Sequence, residues 1–248
     1  MKSTLRLGIT LLALASMPVF ASDWGEKHLA LSNFSAIHSY YISDLEIVGG
    51  GEKNEVILSG NPKIFPYVKS KISRGVLNIR APRGVHVLIR AANLKNLEVL
   101  GEGKVVGKSL ETLGPFSVHT AGSVKVALTG PVDLDQVVAA GNTEVSADWV
   151  DAKNLHVYAS GKSRVTLNGR SVHGTIGLYD QSSLNARWLR AQNLIAQTSN
   201  KAVAMLLPIE GLTAYAADTS RIAFYKRPKR LTPFSGKYGN VFPAADVE

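Results

Sequence analysis

Four acidic residues are the best placed in this sequence for bond-making chemistry. Asp133 and Asp135 sit two apart, so an extended chain puts both on one face, and Asp148 and Asp151 follow in a nearby turn. Clustered carboxylates of this kind serve polysaccharide cleavage or calcium binding in β-helix enzymes. Asp135 falls six residues before Gly141, nominally an inward position, but the strand is expected to begin after it, leaving solvated loop carboxylates. His28, His38, His86, His119, His156 and His173 are scattered with no close pair on one strand face, so no metal site is expected. The run Gly101-Glu102-Gly103-Lys104-Val105-Val106-Gly107 resembles a dinucleotide loop one residue too long, and no helical pattern follows it. Gly107-Lys108-Ser109 and Gly161-Lys162-Ser163 echo the end of a phosphate loop, but the required upstream glycines fall on Glu102 and His156. There is no Gly-x-Ser-x-Gly elbow, and cysteine is absent, which excludes disulfides, thiolate nucleophiles and cysteine–zinc sites. No catalytic residue, cofactor or metal ligand is therefore assigned.

A column of cations is more informative. Lys104, Lys125, Glu144, Arg164, Ser183, Val203 and Arg221 each stand three residues after a turn signal, with Lys162 and Lys201 beside them. Four of the seven are basic. A ladder of cations suits an anionic polymer such as lipopolysaccharide, capsule or peptidoglycan carboxylates. It would equally keep a face soluble and block edge pairing.

That column exists only if the chain repeats, and it does. Leu155-His156-Val157-Tyr158-Ala159-Ser160-Gly161 is followed by Arg164-Val165-Thr166-Leu167-Asn168-Gly169, apolar residues alternating with others on both sides of a glycine turn. The inward slots fall six, four and two residues before the turn and four and six after it. Phe116, Val118, Thr120, Val126 and Leu128 fill them around Gly122. The turn anchors are residues 101, 122, 141, 161, 180, 200 and 218, a mean spacing of about 20. The last three are Asp180, Asn200 and Asp218, which, like glycine, tolerate left-handed backbone. Period-two alternation predicts strands, and a fixed long period predicts stacked supersecondary units. The expectation is an all-β solenoid with coils of about 20 residues, seven of which would form a rod of roughly 30–35 Å. The competing arrangement, evenly spaced hairpins of a β-sandwich, would put neighbouring copies in separate sheets.

The flanks are less regular. Residues 22–93 contain strand candidates at Leu45–Val48, Val56–Leu58, Val76–Ile79 and Val85–Ile89, read as first rungs or as an N-terminal cap before the coils of residues 94–225. Residues 226–248 hold Pro228, Pro233 and Pro243 and read as a C-terminal cap or tail. At the other end, residues 1–21 have the form of an export signal, with Lys2 and Arg6 ahead of the apolar Leu7–Phe20 and a small residue at Ala21. The apolar run is short for a bilayer span, which needs about 20 residues. The whole chain of 248 residues carries +9, and residues 1–21 hold two positive charges and no negative ones, leaving +7 on the remainder. An exported protein of the periplasm or the cell exterior is expected, with no membrane span after signal removal. Lys226-Arg227-Pro228-Lys229-Arg230 is a second basic cluster, but an export signal argues against a nucleic-acid partner.

The order of these features resembles the bacterial auto-transporter adhesin head, or GIN, domain family. The residues that carry the resemblance are Phe34-Ser35-Ala36-Ile37, Val56-Ile57-Leu58-Ser59-Gly60, Ile72-Ser73-Arg74-Gly75-Val76-Leu77-Asn78-Ile79, Leu94-Lys95-Asn96-Leu97-Glu98-Val99, and Ile222-Ala223-Phe224-Tyr225 with Pro228 close behind. Family members more often show a Ser-Gly-Ser-Gly turn, which only Ser160-Gly161 and Ala121-Gly122 approach here. The resemblance implies a right-handed β-helix-like fold and a surface or periplasmic setting, and it carries over no catalytic residue. The expected function is that of a non-enzymatic envelope or surface scaffold binding an anionic glycan or another envelope component through Lys104, Lys125, Arg164, Arg221, Lys162 and Lys201. The alternatives are a polysaccharide-active enzyme centred on Asp133, Asp135 or Asp148, and a purely structural protein that stacks end to end. The oligomeric state stays open.

Overall fold

Alternating apolar residues bury one face of each strand, and in the coils each strand finds its partner in the next copy of the repeat. A computed structural model describes residues 24–50, 52–110 and 114–244. The export signal expected over residues 1–21 lies outside them. The strands in chain order are β1 (Gly25–Leu29), β2 (Ala36–Gly49), β3 (Glu55–Gly60), β4 (Lys69–Ser73), β5 (Val76–Arg80), β6 (Val85–Ala91), β7 (Asn96–Lys108), β8 (Phe116–Val132), β9 (Leu134–Gly141), β10 (Glu144–Ala159), β11 (Arg164–Leu178), β12 (Ser183–Thr198), β13 (Val203–Ala216), β14 (Arg221–Phe224), β15 (Arg230–Ser235) and β16 (Asn240–Pro243). A 3-10 helix spans Pro62–Tyr67. All sixteen strands join one continuous sheet, which excludes the sandwich.

From β7 onward every pairing is parallel and links one coil to the next: Gly101 lies opposite Gly122, Gly122 opposite Gly141, and Val145 opposite Val165. The fold is a β-solenoid, as the repeat predicts. The inward slots are filled as expected, with Phe116, Val118, Val157 and Leu167 fully buried. The proline-bearing segment after residue 226 adds parallel strands, β15 on β13 and β16 on β14.

The turns explain why the seven anchors differ in type. All seven have positive φ, from 106° at Gly122 and 91° at Gly101 down to 55° at Asp218. From Gly141 onward the residue after each anchor donates its N–H to the anchor carbonyl one coil back, as Asn142 does to Gly122 (2.7 Å), Lys162 to Gly141 (2.7 Å) and Lys201 to Asp180 (2.8 Å). Where glycine gives way to aspartate, the side chain adds a bond. Asp180 Oδ2 accepts from Gly161 N (3.0 Å) and Asp218 Oδ2 from Asn200 N (2.9 Å). Two residues beyond the anchors, a buried hydroxyl column closes the turns from inside. Ser163, Ser182 and Ser220 donate to the carbonyls of Ser160 (2.8 Å), Tyr179 (2.7 Å) and Ala217 (2.6 Å).

The repeat begins one coil earlier than the sequence periodicity shows. β2 pairs in parallel with β7, placing Ile37 opposite Leu97 and Leu45 opposite Val105. On its other edge β2 pairs in parallel with β5 and β6, which together make a further rung. Beyond that rung the pairing reverses: β4 runs antiparallel to β5, β3 to β6, and β1 to β3. The N-terminal part is thus both rung and cover. Its antiparallel strands end the parallel stack, protecting the edge that a bare solenoid would expose.

Candidate functional site

The predicted cation column is a single ladder in the fold. The register runs Lys104, Lys125, Glu144, Arg164, Ser183, Val203, Arg221 through successive pairings, one residue per rung. Adjacent rungs lie about 4.8 Å apart. Lys104, Lys125, Glu144, Arg164 and Arg221 are all exposed. Lys125 Nζ lies 3.2 Å from a Glu144 carboxylate oxygen, so one cation is neutralised within the ladder. Lys104, Arg164 and Arg221 make no ion pair among the described residues. Lys162 and Lys201 are exposed at the turn edge, two coils apart. The ladder is a wall with a shallow groove of about 220 Å³ along Lys104, Lys125 and Glu144.

The acidic cluster is placed differently from its expected loop. β9 begins at Leu134, before Asp135, because Leu134 is buried and takes the inward role. Phe116 pairs with Leu134 and Ser117 with Gln136, so Asp135 is left as a bulge outside the ladder. Burial pushes the Asp133 carboxyl above its ordinary 3.8, and the charges of Asp135 and Asp151 add to the push. Asp151 is instead held below the usual carboxylate range by its two bonds from Arg170, at 2.8 and 2.6 Å. Asp148 is exposed. The Asp133 shift has a checkable consequence. Its charged form is disfavoured in the fold, so the cost is present above the raised value and absent below 3.8. Asp133→Asn should therefore raise the thermal midpoint slightly at neutral pH, with solvent screening keeping the gain small, and the gain should vanish in acid. Equal midpoints at neutral pH would remove the argument.

His119 faces outward, its Nε2 2.9 Å from Gln136 Oε1, and through Val138 it shares a column with Tyr158. No group of three or more metal-ligating side chains occurs among the described residues.

One concave part of the molecule has no counterpart in the sequence pattern. A cleft of about 670 Å³ opens where the solenoid meets its N-terminal cover. Tyr41 from β2, Tyr67 from the end of the 3-10 helix, Lys69 opening β4, Arg80 closing β5, and Arg83 and Glu102 line it. A second hollow of about 410 Å³ shares Lys69 and Arg80 and adds Tyr40 and Lys71. Asn61 caps the 3-10 helix by accepting from Lys63 N at 3.0 Å, Pro62 opens it, and buried Phe65 anchors it. Tyr67 is left 69% exposed at the cleft rim. The Arg80 guanidinium carbon stands 5.6 Å from the Tyr41 ring centroid. Arg83 lies 3.6 Å from Glu102, and Lys69 and Arg80 have no acidic partner among the described residues.

Tyr41 stands apart from the other wall residues in its backbone. Tyr40 pairs with Leu100 and Ile42 with Gly103, so Tyr41 occupies the turn slot that Gly101 fills on the next coil. Its φ is 51°, a left-handed conformation costing a bulky residue about 1–2 kcal/mol. Its ring lies against Gly101, where a Cβ would come within 2.8 Å of ring atoms. A search for turn-tolerant residues passes over tyrosine, which is why this eighth anchor was missed.

No curated protein sequence matches the chain. Solved structures do match in fold. A "putative adhesin" from Parabacteroides merdae is 14% identical, with a TM-score of 0.78 over 89% of this chain and 96% of its own. Another from Parabacteroides distasonis has a TM-score of 0.76 at 14% identity, over 90% of this chain and 98% of its own. A "putative lipid binding protein" from Parabacteroides distasonis has a TM-score of 0.75 at 14% identity, over 89% of this chain and 96% of its own. At that identity these neighbours speak to the solenoid fold alone, but a family model spans its whole length from β2 to the last full coil. The chain belongs to the family described as "Putative auto-transporter adhesin, head GIN domain", whose model matches residues 33–228.

Proposed function

We propose that the protein is an exported, non-enzymatic adhesive scaffold of the cell envelope that holds an anionic envelope polymer, such as an acidic glycan, against its basic ladder. The observation that carries this reading is the register that aligns Lys104, Lys125, Arg164 and Arg221 on one outward column. Lys162 and Lys201 widen the positive strip at its turn edge. The export signal read over residues 1–21 supplies the address, and the adhesin family and the names of the neighbours support a binding role. No helix among the described residues is long and apolar enough to cross a membrane.

Cations at rung spacing bind a polyanion through summed field rather than shaped contacts, so salt must weaken the complex. The test is sedimentation of the protein with lipopolysaccharide micelles and with an acidic capsular polysaccharide across a salt series. The K104E/R164E variant should lose about tenfold or more in affinity, worth about 1.4 kcal/mol, and show a flatter salt dependence. Binding by that variant equal to wild type, or no binding at low salt to either polyanion, would reject the ladder as the binding face.

A further inference from the structure

We propose that the cleft between Tyr41 and Tyr67 is a recognition pocket for a carboxylate-bearing sugar unit. The proposal does not require the ladder to bind anything, since the two sites share no side chain.

Backbone strain is the first observation. The turn slot of β2 asks for left-handed backbone, and the other anchors meet it with Gly101, Gly122, Gly141, Gly161, Asp180, Asn200 and Asp218. A tyrosine is the costly occupant of such a slot, and the next coil shows that glycine makes the same turn. Strain of this kind persists where the side chain is needed at that place. The place is the wall of the cleft of about 670 Å³, where Tyr41 is 59% exposed.

Charge is the second observation. Lys69, Arg80 and Arg83 converge on the cleft against the single carboxylate of Glu102, and Lys71 extends the positive side into the adjoining hollow. Glu102 engages only Arg83 among these, leaving Lys69 and Arg80 to meet an incoming anion. A guanidinium fork matches a carboxylate with two parallel bonds.

Shape and surface give the rest. Tyrosine rings offer flat apolar faces with a hydroxyl at the tip, suited to the C–H face and hydroxyl rim of a pyranose. The cavity of about 670 Å³ falls within the usual 300–1,000 Å³ of small-molecule sites. An acyl chain would find charged groups from several elements along the walls and little aliphatic surface beyond Ala81 and Pro82. A neutral sugar would leave the convergent cations unused. Gly103 lines the cleft and its chain neighbour Lys104 stands at the foot of the ladder, so one acidic polymer could seat a terminal unit here and run along the rungs.

Titration calorimetry of the full chain with trigalacturonate, and with maltotriose as the neutral counterpart, tests this. Trigalacturonate should bind saturably and maltotriose at least about tenfold more weakly. R80Q and Y67A should each weaken trigalacturonate by about tenfold or more with the circular dichroism spectrum unchanged, since both side chains are exposed. R164E/R221E, which alters ladder positions three or more rungs from the cleft, should bind the trimer as wild type does, which separates this site from the ladder. Absence of saturable binding, equal affinity for maltotriose, or weakening by the ladder variant alone would overturn the proposal.

Discussion

Replacing Phe116 with alanine should cost about 3–5 kcal/mol and lower the thermal midpoint by on the order of 10 °C, the largest loss of any single truncation in the coils. Phe116 is fully buried six residues before the Gly122 turn and pairs with the equally buried Leu134 of the next coil. A stack of coils closes on itself above and below, so the vacated volume cannot collapse without moving two neighbouring rungs. Phe116→Leu refills most of it and should recover most of the stability. Denaturant unfolding of the three proteins checks the order. A loss below about 1 kcal/mol in the alanine variant would mean the interior is looser than its burial implies.

A single added methyl at Gly122 is expected to rank second. Its φ of 106° disfavours any side chain, and a Cβ there would meet the backbone of Gly101 one coil down. The neighbouring coil cannot yield as a flexible side chain would, because its turn is itself held in the hydrogen-bonded column. Gly122→Ala should therefore cost at least about 2 kcal/mol. Asp180→Gly is the informative contrast. It relaxes the left-handed backbone and removes the side-chain bond to Gly161 N, for a net loss near 1 kcal/mol. If both variants melt alike, close approach of the turn backbones does not constrain the stack.

These two residues also show why so much of the coil was legible in sequence. Phe116 and Gly122 belong to a pattern in which each slot has a fixed offset from its turn, and in-register parallel stacking turns sequence offset directly into spatial column. The ladder of Lys104, Lys125, Arg164 and Arg221 followed from counting three residues past each anchor. The cleft follows no such count. Tyr41, Tyr67, Lys69 and Arg80 come from four segments brought together by antiparallel pairing of β4 on β5 and by a 3-10 helix pinned through Phe65. Periodicity carries no information about that cover. Tyr41 lies 60 residues before Gly101 although the two are adjacent in the stack, so a period of about 20 does not lead to it, and tyrosine is not a turn residue. Asp135, expected in a loop ahead of β9, lies within that strand and departs from the offset pattern for a related reason. Offset counting assumes an unbroken ladder, and a bulge opposite Phe116–Ser117 breaks it.

The direction of the rung-to-rung bonds has a mechanical consequence. In the coils these bonds join one turn of the chain to the next, along the rod, and the described chain starts at one end of the pairing order and finishes at the other. A tether that pulls the two ends apart loads the coils in series, so the stack unspools from its C-terminal end rather than rupturing at once. Each released coil of about 20 residues pays out about 70 Å of slack. A rod loaded in this way would yield in steps, each absorbing part of the pull before the next coil is reached.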